Sequence, residues 1–168
     1  MPSVNNQMIV VVAQYAIFVV AAAAVVVWLM ASRHDKVSLA IEAVVAMALV
    51  AVMIKVAGAI HSDPRPFVQN AALKPLFPHP ADNGFPSDHT ALAAAIAAVV
   101  SQYRRRIGWA LALLAILIGA ARVAANVHHT QDIVAGLIIG YLAAAVALVL
   151  WRQVVRPRLS GNLRELTR

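Results

Sequence analysis

Long apolar segments constrain the fold of this chain more than any other feature. Five stretches, each with at most two charged residues, follow one another and are separated by polar or charged connections. Most of them, as helices rising about 1.5 Å per residue, are long enough to cross a hydrocarbon core of about 30 Å. A chain of 168 residues encloses too little interior to bury so much apolar surface in water. The predicted spans are residues 8–31, 37–60, 88–103, 107–126 and 131–151.

Composition leads to the same class of protein. Apolar residues make up 62% of the chain and charged residues 12%, whereas about a quarter of the residues in soluble domains are charged. We therefore predict an all-α integral membrane protein, a bundle of about five or six transmembrane helices in one domain over residues 1–168. The third span is the shortest, and we expect its first turn to lie in a polar cavity rather than in lipid. The first span follows no basic segment of the signal-peptide type, so we predict that it is retained as an anchor.

Cysteine content and net charge exclude several functions. The chain has no cysteine, which rules out disulfides, thiolate metal sites and thiol nucleophiles. Its net charge of +7 would suit nucleic acid, but the basic residues stand at the ends of apolar segments rather than along one face. We predict no nucleic-acid partner, and membrane lipids as the surroundings.

The basic residues also predict the orientation in the membrane. They fall at alternate connections and in the C-terminal tail, and so on one side of the bundle. Because cytoplasmic loops are rich in Lys and Arg, we predict a cytoplasmic C-terminus and an N-terminus outside. Aromatic residues typical of the headgroup level map to the same side: Trp28, Tyr103, Trp109 and Trp151. The basic clusters are Arg33 and Lys36; Arg104, Arg105 and Arg106; and Arg152, Arg156, Arg158, Arg164 and Arg168.

Ionisable residues that are costly in lipid gather at the opposite, outer end. The loop 61–88 there holds six of the eight prolines and is predicted to be stiff and irregular. Three cations lie in or beside this end, and the planar fork of Arg suits phosphate oxygens. Backbone N–H groups at the start of the third span would add neutral donors. The predicted phosphate-binding residues are Lys55, Arg65, Ser87, Arg122 and Asp88, the last by capping the third span.

Two histidines at this end supply the chemistry. His128 and Asp132 are four residues apart at the start of the fifth span, which places both side chains on one face of a helical turn. The carboxylate would then orient the imidazole and leave its other nitrogen as a nucleophile. His89 is the predicted general acid, which would afterwards deprotonate the hydrolytic water.

The residues of these segments resemble the sequence motifs of a known family. Pro86–His89 reads Pro-Ser-Asp-His, and Arg122-x5-His128-x3-Asp132 follows; these resemble the second and third signatures of the type 2 phosphatidic acid phosphatase superfamily. The string from Pro80 to Thr90 looks closest to the bacitracin-resistance-type undecaprenyl diphosphate phosphatases of bacteria. The resemblance covers roughly residues 55–136. It implies a phosphohistidine at His128, phosphate held by Lys, Arg and Ser, and neither metal nor cofactor.

The resemblance also implies a location and a substrate. We expect a multi-pass protein of the bacterial plasma membrane that recycles the lipid carrier of cell-wall synthesis by hydrolysing undecaprenyl or another polyprenyl diphosphate. Two departures bear on phosphate binding: nine residues separate Lys55 from Arg65, where the family has six, and Ala121 replaces a serine. Family members commonly have six spans, one more than the five predicted.

Alternatives remain at this level. The substrate could instead be phosphatidylglycerol phosphate, phosphatidic acid or a polyprenyl phosphosugar phosphate. A transporter or anion-binding protein without catalysis would use the same pocket, with Glu42 as a proton relay, although a Glu42 that is protonated or paired within the bundle is favoured. Zinc on His89, His128 and His129 is disfavoured by the three nearby cations. The Gly136-x-x-x-Gly140 pattern permits close helix approach, which we expect within the subunit, with a homo-oligomer as the alternative.

Overall fold

The structure, a computed structural model, describes residues 4–157 and contains no strand in that range. Four helices are long and apolar enough to cross a membrane, and a shorter apolar helix lies among them. The predicted all-α membrane class is therefore confirmed. Each of the five predicted segments is helical, with ends shifted by a few residues, and four of the helices are long enough to span a membrane. The helices are α1 (Val4–Leu29), α2 (Arg33–Ile60), α3 (Pro66–Gln69), α4 (Asp88–Ser101), α5 (Arg105–Ala124) and α6 (Thr130–Val149), and α6 continues into a π-helix, Leu150–Val155.

The short helix α4 forms the centre of the bundle and packs against α1, α2, α5 and α6. Alanine dominates its buried positions, and these small side chains allow neighbouring backbones to approach closely. A helix enclosed on its sides by protein does not need the length of a lipid-facing span. As predicted, its first turn lines a polar cavity, through Asp88 and His89.

The two glycines of α6 are used within the subunit. Both are buried against α4. A Cβ at Gly136 would lie 2.7 Å from the carbonyl oxygen of Ser87, and one at Gly140 would collide with the carbonyl oxygen of Ala91. The expected packing within the subunit is thus confirmed. Because α4 occupies the face of these glycines, the described residues give no support to the alternative of a homo-oligomer through them.

The two ends of the helix bundle differ chemically. The loop 61–87 and the connection between α5 and α6 lie together at one end, where the backbone N–H of Leu76 donates to the carbonyl of Ala125. Asn126 adopts a left-handed conformation, φ 59°, and turns the chain from α5 into the segment that carries His128. Arg158, Arg164 and Arg168 of the predicted basic tail lie outside the described residues.

At the other end, Glu42 is fully buried but paired. Its carboxylate accepts a 2.7 Å hydrogen bond from the Tyr103 hydroxyl and a 3.1 Å bond from Nε of Arg152. The preferred interpretation, a carboxylate paired within the bundle, is confirmed. The pair also joins the π-helix to α2 and to the turn between α4 and α5.

The outer loop is less irregular than predicted, because it contains the single turn α3, with Pro66 at its first position, where a proline loses no helical hydrogen bond. Asn83 ties this loop to the end of α2: its amide donates to the carbonyls of Gly58 and His61, and its side-chain oxygen accepts from the backbone N–H of Asp63. The cavity wall is thus anchored to the bundle.

Candidate active site

A polar cavity of about 340 Å³ opens between the outer loop and the ends of the helices. Segments far apart in sequence line it, as the positions of the cations and histidines predicted. Six of the eight predicted site residues line it directly: Lys55, Arg65, Asp88, His89, Arg122 and His128.

His128 and Asp132 form a buried pair. Nδ1 of His128 lies 3.2 Å from Oδ2 of Asp132, and both side chains are almost completely enclosed. The same carboxylate oxygen accepts a 2.8 Å hydrogen bond from the backbone N–H of His129, the residue that precedes α6. Asp132 therefore satisfies a free N–H at the start of the helix and orients the imidazole with one oxygen atom.

The other nitrogen of His128 is an acceptor. Nε2 lies 3.3 Å from Nη1 of Arg65. A guanidinium can only donate hydrogen bonds, so Nε2 carries a lone pair and the ring proton sits on Nδ1 beside Asp132. Burial lowers the pKa of His128, and the charges of Arg122 and Arg65 lower it further, against the raising effect of the Asp132 hydrogen bond. The neutral, nucleophilic tautomer is the one the surroundings favour.

Arg65 is held rigidly at the first residue before α3. It is 6% exposed; its Nε donates to Asp82 at 2.7 Å and its Nη1 to the carbonyl of Val127 at 2.7 Å. Burial would raise the pKa of Asp82, but the hydrogen bond and charge of Arg65 hold it below its usual range. Arg65 and Asp82 thus form an ion pair at the cavity, in which the arginine is buried and the carboxylate of Asp82 is exposed.

Arg122 projects from the last turn of α5 and is 3% exposed. Its Nη1 donates to the carbonyl of Ala13 in α1 at 3.1 Å, and its Nη2 lies 3.1 Å from Nε2 of His79. Its Nε is buried without a hydrogen-bond partner among the described residues. A buried cation with an unsatisfied donor is suited to an anion in the cavity.

The remaining predicted residues differ in how they meet the cavity. Lys55 and Asp88 are exposed, and His89 is partly buried at the wall. Ser87 does not line the cavity. Its hydroxyl shares a 3.0 Å hydrogen bond with the hydroxyl of Thr90, and its backbone N–H donates to the carbonyl of Asp132 at 3.1 Å. Ser87, not Asp88, is the capping position of α4; Asp88 begins the helix. Because it is acidic and lies in the first turn, Asp88 still interacts favourably with the helix dipole.

Behind His128 lies a polar network that the sequence patterns did not reveal. Asp63 accepts hydrogen bonds from Gln131 at 2.6 Å and Gln69 at 2.9 Å, and lies 2.8 Å from Nδ1 of His129. Burial would raise the pKa of Asp63, but Gln131, His129 and Asp132 lower it. No local pattern links residue 63 to residues 129 and 131, so only packing reveals this network.

Metal binding has a candidate group here as well. Ligand atoms of Asp63, His129 and Asp132 lie within 4.8 Å of one another. The oxygens of Asp63 already accept hydrogen bonds, which describes an internal network better than an open metal site. The zinc set of His89, His128 and His129 fits poorly, because both nitrogens of His128 already face Asp132 and Arg65.

Comparisons with known proteins identify the family of this chain. The model of the PAP2 superfamily matches residues 39–156. The chain is 32% identical over 158 residues to the bacitracin transport permease protein BcrC of Bacillus licheniformis, covering 94% of this chain and 75% of that protein. It is 29% identical over 140 residues to the undecaprenyl-diphosphatase BcrC of Bacillus subtilis, covering 83% and 72%. The crystal structure of Aquifex aeolicus LpxE is similar, with a TM-score of 0.70, 27% identity, and coverage of 88% of this chain and 87% of that one.

Proposed function

The chain belongs to the PAP2 superfamily, and from this membership we propose that it is a membrane phosphatase that hydrolyses undecaprenyl diphosphate to the monophosphate and inorganic phosphate. The name of the Bacillus subtilis relative supports this substrate. The observation that carries the proposal is the buried His128–Asp132 pair, whose Nε2 carries a lone pair beside Arg65 in a cavity lined by two buried arginines. Such an enzyme would recycle the lipid carrier of cell-wall synthesis.

The first chemical step forms a phosphohistidine. The terminal phosphate enters the cavity, and the Nη1–H group of Arg65 transfers its hydrogen bond from Nε2 of His128 to a phosphate oxygen. The lone pair on Nε2 then attacks phosphorus, and the bond from phosphorus to the bridging oxygen breaks. That oxygen leaves on the lipid monophosphate with a proton from His89. Asp132 stabilises the positive charge that develops on the ring.

The second step reverses the roles. His89, now neutral, takes a proton from water, and the hydroxide attacks the phosphohistidine. The bond between phosphorus and Nε2 breaks, which restores the lone pair and releases inorganic phosphate. Arg65 and Arg122 stabilise the charge on the phosphoryl oxygens in both steps, which is the main requirement of phosphoryl transfer. Lys55, at the exposed edge of the cavity, is proposed to attract the anionic headgroup.

The substrate is tested with purified protein in detergent. Phosphate release is compared for undecaprenyl diphosphate, phosphatidylglycerol phosphate, phosphatidic acid and a polyprenyl phosphosugar phosphate. We expect the diphosphate to be hydrolysed fastest, and the His128→Ala variant to release no phosphate. A faster rate on another lipid would reassign the substrate, and wild-type turnover by His128→Ala would rule out the nucleophile. Because detergent supports no gradient, any turnover also excludes a transporter without catalysis.

The orientation is part of the same proposal. We place the cavity on the outer face of the bacterial plasma membrane and the C-terminus in the cytoplasm, with residues 1–168 as one lipid phosphatase domain. Support comes from Arg33, Lys36 and Arg104, which lie at the end of the bundle opposite the cavity. A tag inserted near Lys74 is expected to be accessible in intact cells and one at the C-terminus protected. Reversed labelling would place the site in the cytoplasm.

A further inference from the structure

His79 stands in the cavity although its position in the outer loop matches no signature of the family. Its ring lies edge-on to that of His128, with centroids 6.3 Å apart, and is tilted against Phe77 at 6.0 Å. Its Nε2 lies 3.1 Å from Nη2 of Arg122, and its Nδ1 3.4 Å from the carbonyl of Pro80. The imidazole is thus positioned by contacts on both nitrogens.

Hydrogen-bond chemistry defines the protonation state of His79. Arg122 can only donate, so Nε2 of His79 must accept, and its proton sits on Nδ1 towards the carbonyl of Pro80. Burial lowers the pKa of His79, and the charges of Arg65, Arg122 and His128 lower it further, against the raising effect of the Pro80 carbonyl. The neutral ring is the state that this cationic site favours.

The contact with His79 also determines which hydrogen-bond donors of Arg122 are occupied. Of its donors, Nη1 is directed to the carbonyl of Ala13, Nε is buried without a partner among the described residues, and Nη2 meets His79. A phosphate that entered the cavity would compete with the imidazole for Arg122. A phosphate oxygen is a stronger acceptor for a guanidinium than a neutral imidazole, because charge-assisted hydrogen bonds are the stronger ones.

We propose that His79 is a further phosphate-binding residue, which yields Arg122 to the incoming phosphate, takes up a proton on Nε2 from solvent and donates it in a hydrogen bond to a phosphate oxygen. This rests on the proposed function only in assuming that the cavity binds phosphate. His79 occupies the phosphate's place on Arg122 while the site is empty. Binding then converts it from an acceptor into a fourth cationic donor beside Arg65, Arg122 and Lys55.

The charges around His79 favour this change only when phosphate is present. Without bound phosphate, the ionisable groups that act on it include the cations Arg65 and Arg122, the histidines His89 and His128, and Asp82, which is already paired with Arg65. The exposed Lys55 and Asp88 line the same cavity. The cations oppose protonation. A phosphate dianion reverses the sign of the local field and raises the pKa of His79. Between the lowered pKa of the empty site and the raised pKa of the complex, phosphate affinity therefore increases as pH falls.

The test is the number of protons taken up when inorganic phosphate binds. Full-length protein in detergent is titrated calorimetrically in two buffers of different ionisation enthalpy. The variant is His79→Gln, whose amide oxygen can still accept from Arg122 but cannot take a proton. The matched control is His61→Gln, which alters an exposed loop histidine that packs on Phe85. Subtracting variant from wild type removes the proton change of phosphate itself.

We expect the wild type and His61→Gln to take up more protons per bound phosphate than His79→Gln, by a difference approaching one. We also expect His79→Gln to bind phosphate about ten to a hundred times more weakly, as for loss of a hydrogen bond to a charged group. A merely structural role would lower the unfolding temperature without changing the proton count. Equal proton uptake by wild type and His79→Gln would overturn the proposal.

The outcomes separate this proposal from the proposed function. Lipid hydrolysis by the wild type, with equal proton uptake in wild type and His79→Gln, contradicts the role of His79 alone. A wild type that neither binds phosphate nor hydrolyses lipid phosphates contradicts the function, and the His79 proposal with it.

Discussion

Two substitutions at Asp132 separate the charge of this carboxylate from its orienting role. Oδ2 alone contacts Nδ1 of His128 and the backbone N–H of His129. An asparagine can place its oxygen at this position and keep both hydrogen bonds, while its amide nitrogen takes the position of Oδ1, which is buried without a hydrogen-bond partner among the described residues. Asp132→Asn therefore removes the negative charge and retains the tautomer, whereas Asp132→Ala removes both.

The expected losses follow from this geometry. A full charge pair about 4 Å apart is worth about 4 kcal/mol at an effective dielectric of about 20. If half of the cation has formed on His128 in the transition state, Asp132→Asn loses about 2 kcal/mol, or about thirtyfold in kcat. Asp132→Ala also frees the imidazole and leaves two N–H groups unpaired, so we expect a loss of about a thousandfold or more and about 1 to 2 kcal/mol of stability.

The pH profile of kcat/KM shows in which direction the loss of the Asp132 charge shifts the pKa of His128. Activity requires neutral His128, so the rate falls as pH drops through the pKa of His128, which burial and the neighbouring arginines hold below its usual range. The hydrogen bond to Asp132 raises that pKa. Asp132→Asn should therefore move the acid limb to lower pH. Turnover of Asp132→Ala within tenfold of wild type, or an acid limb of Asp132→Asn displaced to higher pH, would refute the reasoning.

Three further substitutions probe other parts of the molecule. Lys55→Ala should raise KM about fivefold and leave kcat nearly unchanged, because an exposed cation at the cavity edge contributes about 1 kcal/mol to binding of the headgroup; steady-state kinetics measure this. Glu42→Gln should lower the stability by about 2 kcal/mol, through weaker bonds to Tyr103 and Arg152, without changing the rate per folded molecule. Gly140→Ala should destabilise by about 1 to 3 kcal/mol, because its Cβ meets the carbonyl of Ala91; thermal unfolding in detergent measures both.

Each of these has its own control. Lys74→Ala removes an exposed cation of the outer loop that does not line the cavity, and an equal rise in KM would mean that the effect of Lys55 is not local. Tyr103→Phe removes only one hydrogen bond of Glu42, so a loss of stability larger than that of Glu42→Gln would contradict the proposed pairing. An unchanged unfolding temperature for Gly140→Ala would mean that α4 and α6 are not in close contact.

The fold was largely predictable because its signals are local. A span is recognised from the length and hydropathy of one segment, and the ends of the bundle from the position of the charges. The contact between His128 and Asp132 was predictable from their four-residue spacing. Its geometry was not, because His128 lies two residues before α6 and the extended backbone of His129 brings it to Asp132 across the start of the helix. The short α4 was also foreseen, although its central position was not.

The contacts between the residues of the cavity were not predictable. Arg122 and His79 are 43 positions apart, and Arg65 and the carbonyl of Val127 are 62 apart. No periodicity links such residues, and no sequence motif marks His79. The orientation of Ser87 was missed similarly, because its hydroxyl could point into the cavity or towards Thr90, and only packing decides.

The sequence alone thus determined that long apolar segments must lie in a membrane and that two histidines, a carboxylate and three cations meet at one end. Hydropathy and helical spacing act over a few residues, so they can be evaluated without a fold. The tertiary structure alone decided which donors of the arginines are already engaged, which imidazole nitrogens carry lone pairs, and which polar groups face the cavity. These properties depend on hydrogen bonds between separate helices and loops, and they exist only once α4 is enclosed by its neighbours.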